Sequence, residues 1–275
     1  MAELLFGTAG VPRSAWPKTT IDGIRRIAEL RLGAMEIEFV QGVKMGEAGA
    51  RLVAQTALKE GIKLSAHAPY YLNLNAREPE KIRASQDRLL QTARIGGLCG
   101  AESIVFHPAF YLGDPSQKAY QNVKQHLAEV LDQLKREHNP VCIRPEIMGK
   151  PSAFGTIDEV LKLCTELEGL APCIDFAHWH ARDGKSNSYP EFTAILRQVE
   201  ERLGRAALDN IHVHVSGIRY GWKGEISHLD LKDSDFQYPE LVKALRDYQV
   251  GGVIICESPN LERDALLLKE AYMSL

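Results

Sequence analysis

The chain has 275 residues, 45% of them hydrophobic, and a formal net charge of -3. That length suits one large core of α/β-barrel size, and the small charge exerts no overall pull toward nucleic acid or an anionic membrane, leaving a local basic rim as the means of binding either. No run approaches the roughly 18 apolar residues of a membrane span and residues 1–10 lack an export signal, while five cysteines (Cys99, Cys142, Cys164, Cys173, Cys256) without a C-x-x-C pair argue for reduced thiols and a cytoplasmic protein.

Short apolar runs alternate with helical periodicity along the chain. Leu4-Leu5-Phe6-Gly7 is followed by Thr19-Thr20-Ile21-Asp22, an N-cap signal opening a helix to about residue 30. Strands are predicted at 34–40 and 63–69, with helices at 46–60 and 78–98. A strand at 103–109 leads to a helix at 115–137, and one at 141–147 to a helix at 156–168, which opens on the capping-box sequence Thr156-Ile157-Asp158-Glu159. Strands at 172–178, 211–217 and 252–257, with helices at 189–203, 239–248 and 261–271, complete the series. Eight parallel strand-and-helix pairs predict a closed (β/α)8 TIM barrel forming a single domain over 1–275. An open doubly wound sheet is disfavoured because no strand leads into a G-x-G-x-x-G or P-loop sequence. The longest irregular segments, 182–188 and 218–237, follow ligand-bearing strands and are expected to line a site.

Six runs end in metal-type ligands: His67, His107, Glu146, the pair Asp175 and His178, His214, and Glu257. Barrel sites are built from the C-terminal ends of several strands, so these side chains, with His228 from the long loop, are expected to converge there. Imidazole and carboxylate without thiolate suit zinc, with manganese or iron as alternatives. Eight candidate ligands exceed the needs of one tetrahedral ion, so at least two ions are implied, and clustered divalent ions suit phosphoester displacement. Period-two spacing places His212 behind His214 on one inward face and Arg144 on that of Glu146. A buried Arg144 requires a partner, for which Glu36 and Glu38 are the candidates. Asp175 and His178, three apart, are expected to diverge toward different ions. His126 and His138 lie on or beside a helix and read as solvated surface residues.

On these residues the chain resembles the endonuclease IV family of apurinic/apyrimidinic endonucleases, within the xylose isomerase-like barrels. His67 in Ser-Ala-His-Ala-Pro-Tyr-Tyr-Leu-Asn-Leu, His107 in Val-Phe-His-Pro, Glu146, Cys173-Ile174-Asp175-Phe176-Ala177-His178, His214, and Glu257 in Ile-Cys-Glu-Ser-Pro-Asn carry the resemblance in strand order. It implies that Glu146 bridges two ions, that His67 and His107 hold one and Asp175, His214 and Glu257 the other, and that His178 and His228 hold a third. Glu146, Glu257 and Asp175 become the catalytic residues of a monomeric DNA-repair enzyme that hydrolyses the phosphodiester 5′ to abasic sites. Tyr70, Tyr71 and Asn73 follow the first histidine as substrate contacts, and Lys44, Lys150, Arg182, Arg219 and Lys223 are candidate phosphate contacts in the mouth-side loops. Two departures stand out. Where the family has an aspartate two residues before the last histidine, this chain has Ile226, which leaves Glu225 or Asp230 to substitute or the third ion weak or absent. The loop 40–45 lacks the family's DNA-inserting arginine.

Two other readings share the barrel. A single-metal sugar isomerase or epimerase needs only Glu146, Asp175, His214 and Glu257, leaving His67, His107 and His228 without a task. A homologue that binds metal and DNA with weakened cleavage is motivated by Ile226 and the altered loop.

Overall fold

Buried strands of Val, Ile and Ala with polar inward positions and amphipathic helices outside them are the ingredients of a barrel whose interior carries the chemistry. The computed structural model describes residues 3–275; Met1 and Ala2, where the segment read for an export signal begins, lie outside the described residues. In chain order the elements are β1 (Leu4–Ala9), α1 (Thr20–Glu29), β2 (Ala34–Glu38), α2 (Glu47–Glu60), β3 (Lys63–His67), α3 (Pro79–Leu98), β4 (Ala101–Phe106), β5 (Ala109–Phe110), α4 (Ser116–Arg136), β6 (Cys142–Pro145), β7 (Ala153–Phe154), α5 (Ile157–Glu166) and β8 (Cys173–Asp175). There follow α6 (Phe176–Asp183), α7 (Tyr189–Leu203), α8 (Arg205–Asp209), β9 (Ile211–Val215), β10 (Gly217–Gly221), β11 (Gly224–Leu229), a 3-10 turn (Leu231–Asp233), α9 (Tyr238–Asp247), β12 (Gly252–Cys256) and α10 (Glu262–Met273).

Eight strands form one parallel sheet in the order β6-β4-β3-β2-β1-β12-β9-β8. Its two ends meet through the parallel bridges Ile143 to Leu170 and Glu146 to Cys173, with the Ile147 amide donating to the Cys173 carbonyl at 3.1 Å. The predicted TIM barrel is therefore the observed fold. Helices α1 and α5 begin on side-chain caps: Thr19 accepts from the Asp22 amide, and Thr156 and Glu159 close a reciprocal capping box. All five cysteines are free, and no helix among the described residues is long and apolar enough to cross a membrane.

Outward residues such as Ile37, Leu64, Ile104, Ile143, Ile174 and Val213 pack in the main apolar core. The inward positions carry Glu36, Ser65, Arg144, Cys173, Asp175, His212 and His214, all buried. Arg144 is anchored differently from the expectation. It pairs with neither Glu36 nor Glu38 but donates to Ser103 Oγ at 2.8 Å and to the carbonyls of Pro172 and Asn210 at 3.0 Å each. Those carbonyls lie just before β8 and β9, at the barrel end opposite the strand mouths, so Arg144 satisfies backbone groups there. Replacing Arg144 with Met leaves both carbonyls without this donor, and we expect a stability loss of about 3 kcal/mol, seen as a lower urea midpoint.

Three further expectations are corrected. Strand β8 ends at Asp175 and His178 lies on α6, because the Asp175 carboxylate caps that helix by accepting the His178 amide at 2.7 Å. Most of segment 218–237 is not irregular: β10 and β11 form an antiparallel hairpin that runs into the 3-10 turn. Gly224 makes its tight turn possible, with φ at +83° and the Gly149 carbonyl only 2.2 Å from where a Cβ would stand. His126 is half-buried and tied through Nδ1 to the Leu74 carbonyl at 2.8 Å, whereas His138 is exposed as expected.

Candidate metal centre

Glu146 is the hub of the barrel mouth. Its Oε2 lies 3.2 Å from His67 Nε2 and 3.1 Å from His107 Nε2. Its Oε1 lies 3.1 Å from His178 Nδ1 and 3.5 Å from His214 Nδ1. Glu257 approaches His214 Nδ1 at 3.5 Å, and Asp175 Oδ2 approaches His178 Nδ1 at 3.2 Å. Asp175 and His178 therefore touch, since the first turn of α6 folds His178 back over the carboxylate that caps it, yet the two fall in different ligand groups. At the mouth the potential ligand atoms fall into three groups, each within 4.8 Å of one another: His67, His107 and Glu146; Glu146, Asp175, His214 and Glu257; and His178, Glu225 and His228.

The third group depends on a β-bulge. Along β11, Tyr220 pairs with Glu225 but Arg219 pairs with Ser227, so Ile226 is the extra residue. The insertion brings Glu225 and His228, three apart in sequence, into phase on one face. Glu225 Oε2 lies 3.5 Å and His228 Nε2 3.3 Å from His178 Nε2. Asp230 is engaged elsewhere, accepting from the Asn260 amide at 3.0 Å.

Neighbouring groups orient four of the imidazoles, turning one nitrogen of each toward the cluster. His67 Nδ1 donates to the Ala68 carbonyl at 2.8 Å, and His228 Nδ1 sits 3.3 Å from the Glu257 carbonyl, so each presents Nε2. His178 Nδ1 is 3.2 Å from the Ile147 carbonyl, which leaves Nε2 facing Glu225 and His228. His214 presents Nδ1, because its Nε2 lies 3.0 Å from Glu36 Oε1. Beneath it Glu36 accepts from the Ser65 hydroxyl at 2.7 Å, and His212 Nε2 lies 3.1 Å away without a hydrogen bond.

Burial opposes charge throughout, yet the cluster compensates itself. Desolvation would raise the pKa of Glu146, but His107, His178 and His214 hold its carboxyl well below the usual range. Burial likewise opposes the low pKa of Glu36, which the His214 charge and the His212 and His214 contacts impose. His67 is raised to about 9, against burial, by Glu146 and Glu38. His178 and His214 are raised as well, the first by Asp175, Glu146 and Glu225, the second by Cys173, Glu257 and Glu36. Burial raises Asp175 to about 7 and Glu38 to about 8, and lowers His107 and His212. At the mouth Glu146 Oε1, Asp175 Oδ2 and His214 Nδ1 are buried and, close as imidazole or carboxylate atoms lie, make no hydrogen bond among the described residues. Such atoms, in a set of imidazole and carboxylate donors, are those a divalent ion of the zinc class would satisfy.

The expected substrate contacts separate. Tyr70 is half-exposed and packs on His67 and His107, with ring centroids 5.2 and 5.1 Å away. Tyr71 is exposed with the Arg88 guanidinium 4.7 Å above its ring. Asn73 serves its own loop, its Oδ1 accepting from the Asn75 and Phe110 amides. Arg182 is spent on the carbonyls of Met148, Lys150 and Ala153, which overturns its reading as a phosphate contact. Lys44 is exposed and lines a cavity of about 360 Å³ with Glu36 and Glu38, and Arg219 and Lys223 are exposed on the hairpin.

Glu36 entered the sequence reading only as a partner for Arg144. Its inward position one layer below Glu38 and beside Ser65 was the available signal. Second-sphere carboxylates orient metal-binding histidines, so replacing Glu36 with Gln is expected to weaken metal binding by about 10- to 100-fold. Competition with a chromophoric chelator measures it, and unchanged affinity would remove Glu36 from this role.

A parallel barrel with a histidine and carboxylate cluster at its strand mouths defines a class of candidate metalloproteins. Residues 24–273 match the family model described as xylose isomerase-like TIM barrel, and the chain belongs to that family. It is 46% identical to the "Uncharacterized protein MJ0133" of Methanocaldococcus jannaschii, over 99% of this chain and 98% of that one. It is 26% identical to the "Probable endonuclease 4" of Mycoplasma pneumoniae over 70% of this chain and 67% of the relative. Among solved structures, endonuclease IV from Thermus thermophilus superposes with a TM-score of 0.76 at 18% identity, covering 98% of both chains. A D-tagatose 3-epimerase-like protein superposes with a TM-score of 0.72, also at 18% identity, over 97% of this chain and 96% of its own. At such identities the superpositions speak to fold alone, which nucleases and epimerases share.

Proposed function

We propose that the protein is a metal-dependent phosphodiesterase of the endonuclease IV type, cleaving DNA 5′ to abasic sites and acting in base excision repair in the cytoplasm. The observation that carries this reading is the division of nine side chains into three groups joined at Glu146 and His178. His67 and His107 would hold one ion with Glu146, and Asp175, His214 and Glu257 would hold a second that shares Glu146. His178, Glu225 and His228 would hold a third. Zinc suits these donors best, with manganese or iron as alternatives. When bound, clustered divalent ions neutralise phosphate charge and make water a nucleophile at neutral pH. The chain itself orients the imidazoles, holds the Glu146 carboxyl well below its ordinary range and walls the His67 and His107 side with Tyr70. Exposed Lys44, Arg219 and Lys223 provide the local positive charge that the net charge does not.

Elemental analysis of purified protein together with nicking of a duplex bearing one abasic site tests the proposal. Two or three ions per chain with site-specific nicking is the expected result. Replacing Glu225 with Ala should lower the count by one ion while the Glu146 pair remains, which separates its role from that of Asp230. The rival is a one-metal sugar epimerase using Glu146, Asp175, His214 and Glu257. It is favoured by one ion per chain, no nicking and epimerisation of a ketose. The grouping of His178, Glu225 and His228 also speaks against a merely weakened homologue, because Glu225 would take the place that Ile226 leaves.

A further inference from the structure

Trp222 is 89% exposed at the tip of the β10–β11 hairpin, and the neighbouring Ile226 is 57% exposed. A two-residue turn does not call for tryptophan, whose large apolar surface is costly to leave in water. The hairpin that carries it is firmly placed. Five residue pairs join its strands, the Glu225 amide donates to the Gly149 carbonyl at 3.0 Å, and Gly224 lets the turn press against Gly149 and Lys150. Glu225 is three residues from Trp222, so the Cα that carries the indole stands within about 10 Å of the Glu225 Cα, a few nucleotide steps along a DNA strand. One cation lies on the ring and two more belong to the hairpin or the segment it packs on. Lys223 Nζ lies 4.6 Å above the indole, Arg219 is exposed on β10, and Lys150 adjoins Gly224.

An exposed aromatic ring with one ammonium over its face, on the same hairpin as Glu225 and His228, matches the chemistry of an unpaired nucleobase flanked by phosphates. We infer that Trp222 is a stacking wedge that enters a duplex at an abasic position and covers the base face left bare there. The inference rests on the nuclease reading and adds to it the element that distinguishes damaged from intact duplex. It does not require the arginine missing from the loop 40–45, since the wedge comes from the opposite part of the chain.

The test compares the metal-loaded full chain with its W222A and W222F variants on duplexes with and without one abasic site. Metal content is measured on each. W222A should raise KM for the abasic duplex on the order of tenfold to a hundredfold, far more than it lowers kcat. Metal content should stay unchanged, affinity for intact duplex should change little, and W222F should recover most of the loss. Wild-type KM in W222A would overturn the wedge and leave the nuclease reading standing. Failure of the wild-type protein to nick the abasic duplex would overturn both. A loss of self-association in W222A, read by sedimentation, would make Trp222 a contact between copies of the chain and overturn the wedge as well.

Discussion

Replacing Glu146 with Gln is expected to lower nicking at an abasic site by about a thousandfold or more, the largest effect of any single substitution proposed for this chain. The change is nearly isosteric, so the buried volume is retained and what is lost is one negative charge. That charge faces four imidazoles, two on each oxygen. Without it two ligand groups no longer share an anionic donor, and the buried imidazoles lose the partner that offsets their desolvation. Metal content should fall together with activity. Glu146→Asp, which keeps the charge but shortens the reach, should recover part of the metal and little of the rate, because a carboxylate drawn back by one methylene cannot meet both groups. Single-turnover nicking with elemental analysis of the same preparations decides the matter. Cleavage by Glu146→Gln within tenfold of wild type would mean that the bridge is dispensable.

Much of this centre was legible in the sequence because ligand residues closed the apolar runs, and parallel barrels place run ends together. His67, His107, Glu146, Asp175, His214 and Glu257 needed no more than that. The features that escaped are those set by tertiary geometry. Asp175-Phe176-Ala177-His178 continues an apolar run in sequence, and only the capping of α6 by Asp175 turns His178 back onto Glu146. Glu225 and His228 are out of phase for a regular strand, and one extra residue in a ladder leaves no trace in spacing. Arg144 is satisfied by main-chain carbonyls, which no side-chain pattern can announce. Glu36 and His212 look like ordinary inward residues until the barrel closes and puts both beside His214.

Metal uptake should release protons, and apparent affinity should climb steeply between about pH 6 and pH 9. In the metal-free chain His67 is held as imidazolium, with its pKa raised from 6.5 to about 9, and His178 and His214 are raised as well. An ion must displace those protons, so each one displaced adds about a tenfold gain in affinity per pH unit until its group titrates. The slope should slacken above about pH 9, where His67 no longer holds its proton. Stability of the metal-free chain runs the other way. A histidine whose pKa is raised on folding contributes stability that is full below 6.5 and lost as pH rises through about 9. Asp175, raised from 3.8 to about 7, adds a penalty that grows from pH 3.8 to about 7, where the unfolded carboxyl has ionised and the buried one still holds its proton, and is constant above. Glu146 and Glu36, lowered, contribute stability above their ordinary value of 4.5 that disappears only in stronger acid. The metal-free chain is therefore expected to be most stable in a mildly acid window, and the metal-loaded chain to gain on it as pH rises. Thermal unfolding of both forms from pH 5 to pH 9 measures the gap. A gap that narrows with rising pH would show that these imidazoles are not the groups that give up protons to the metal.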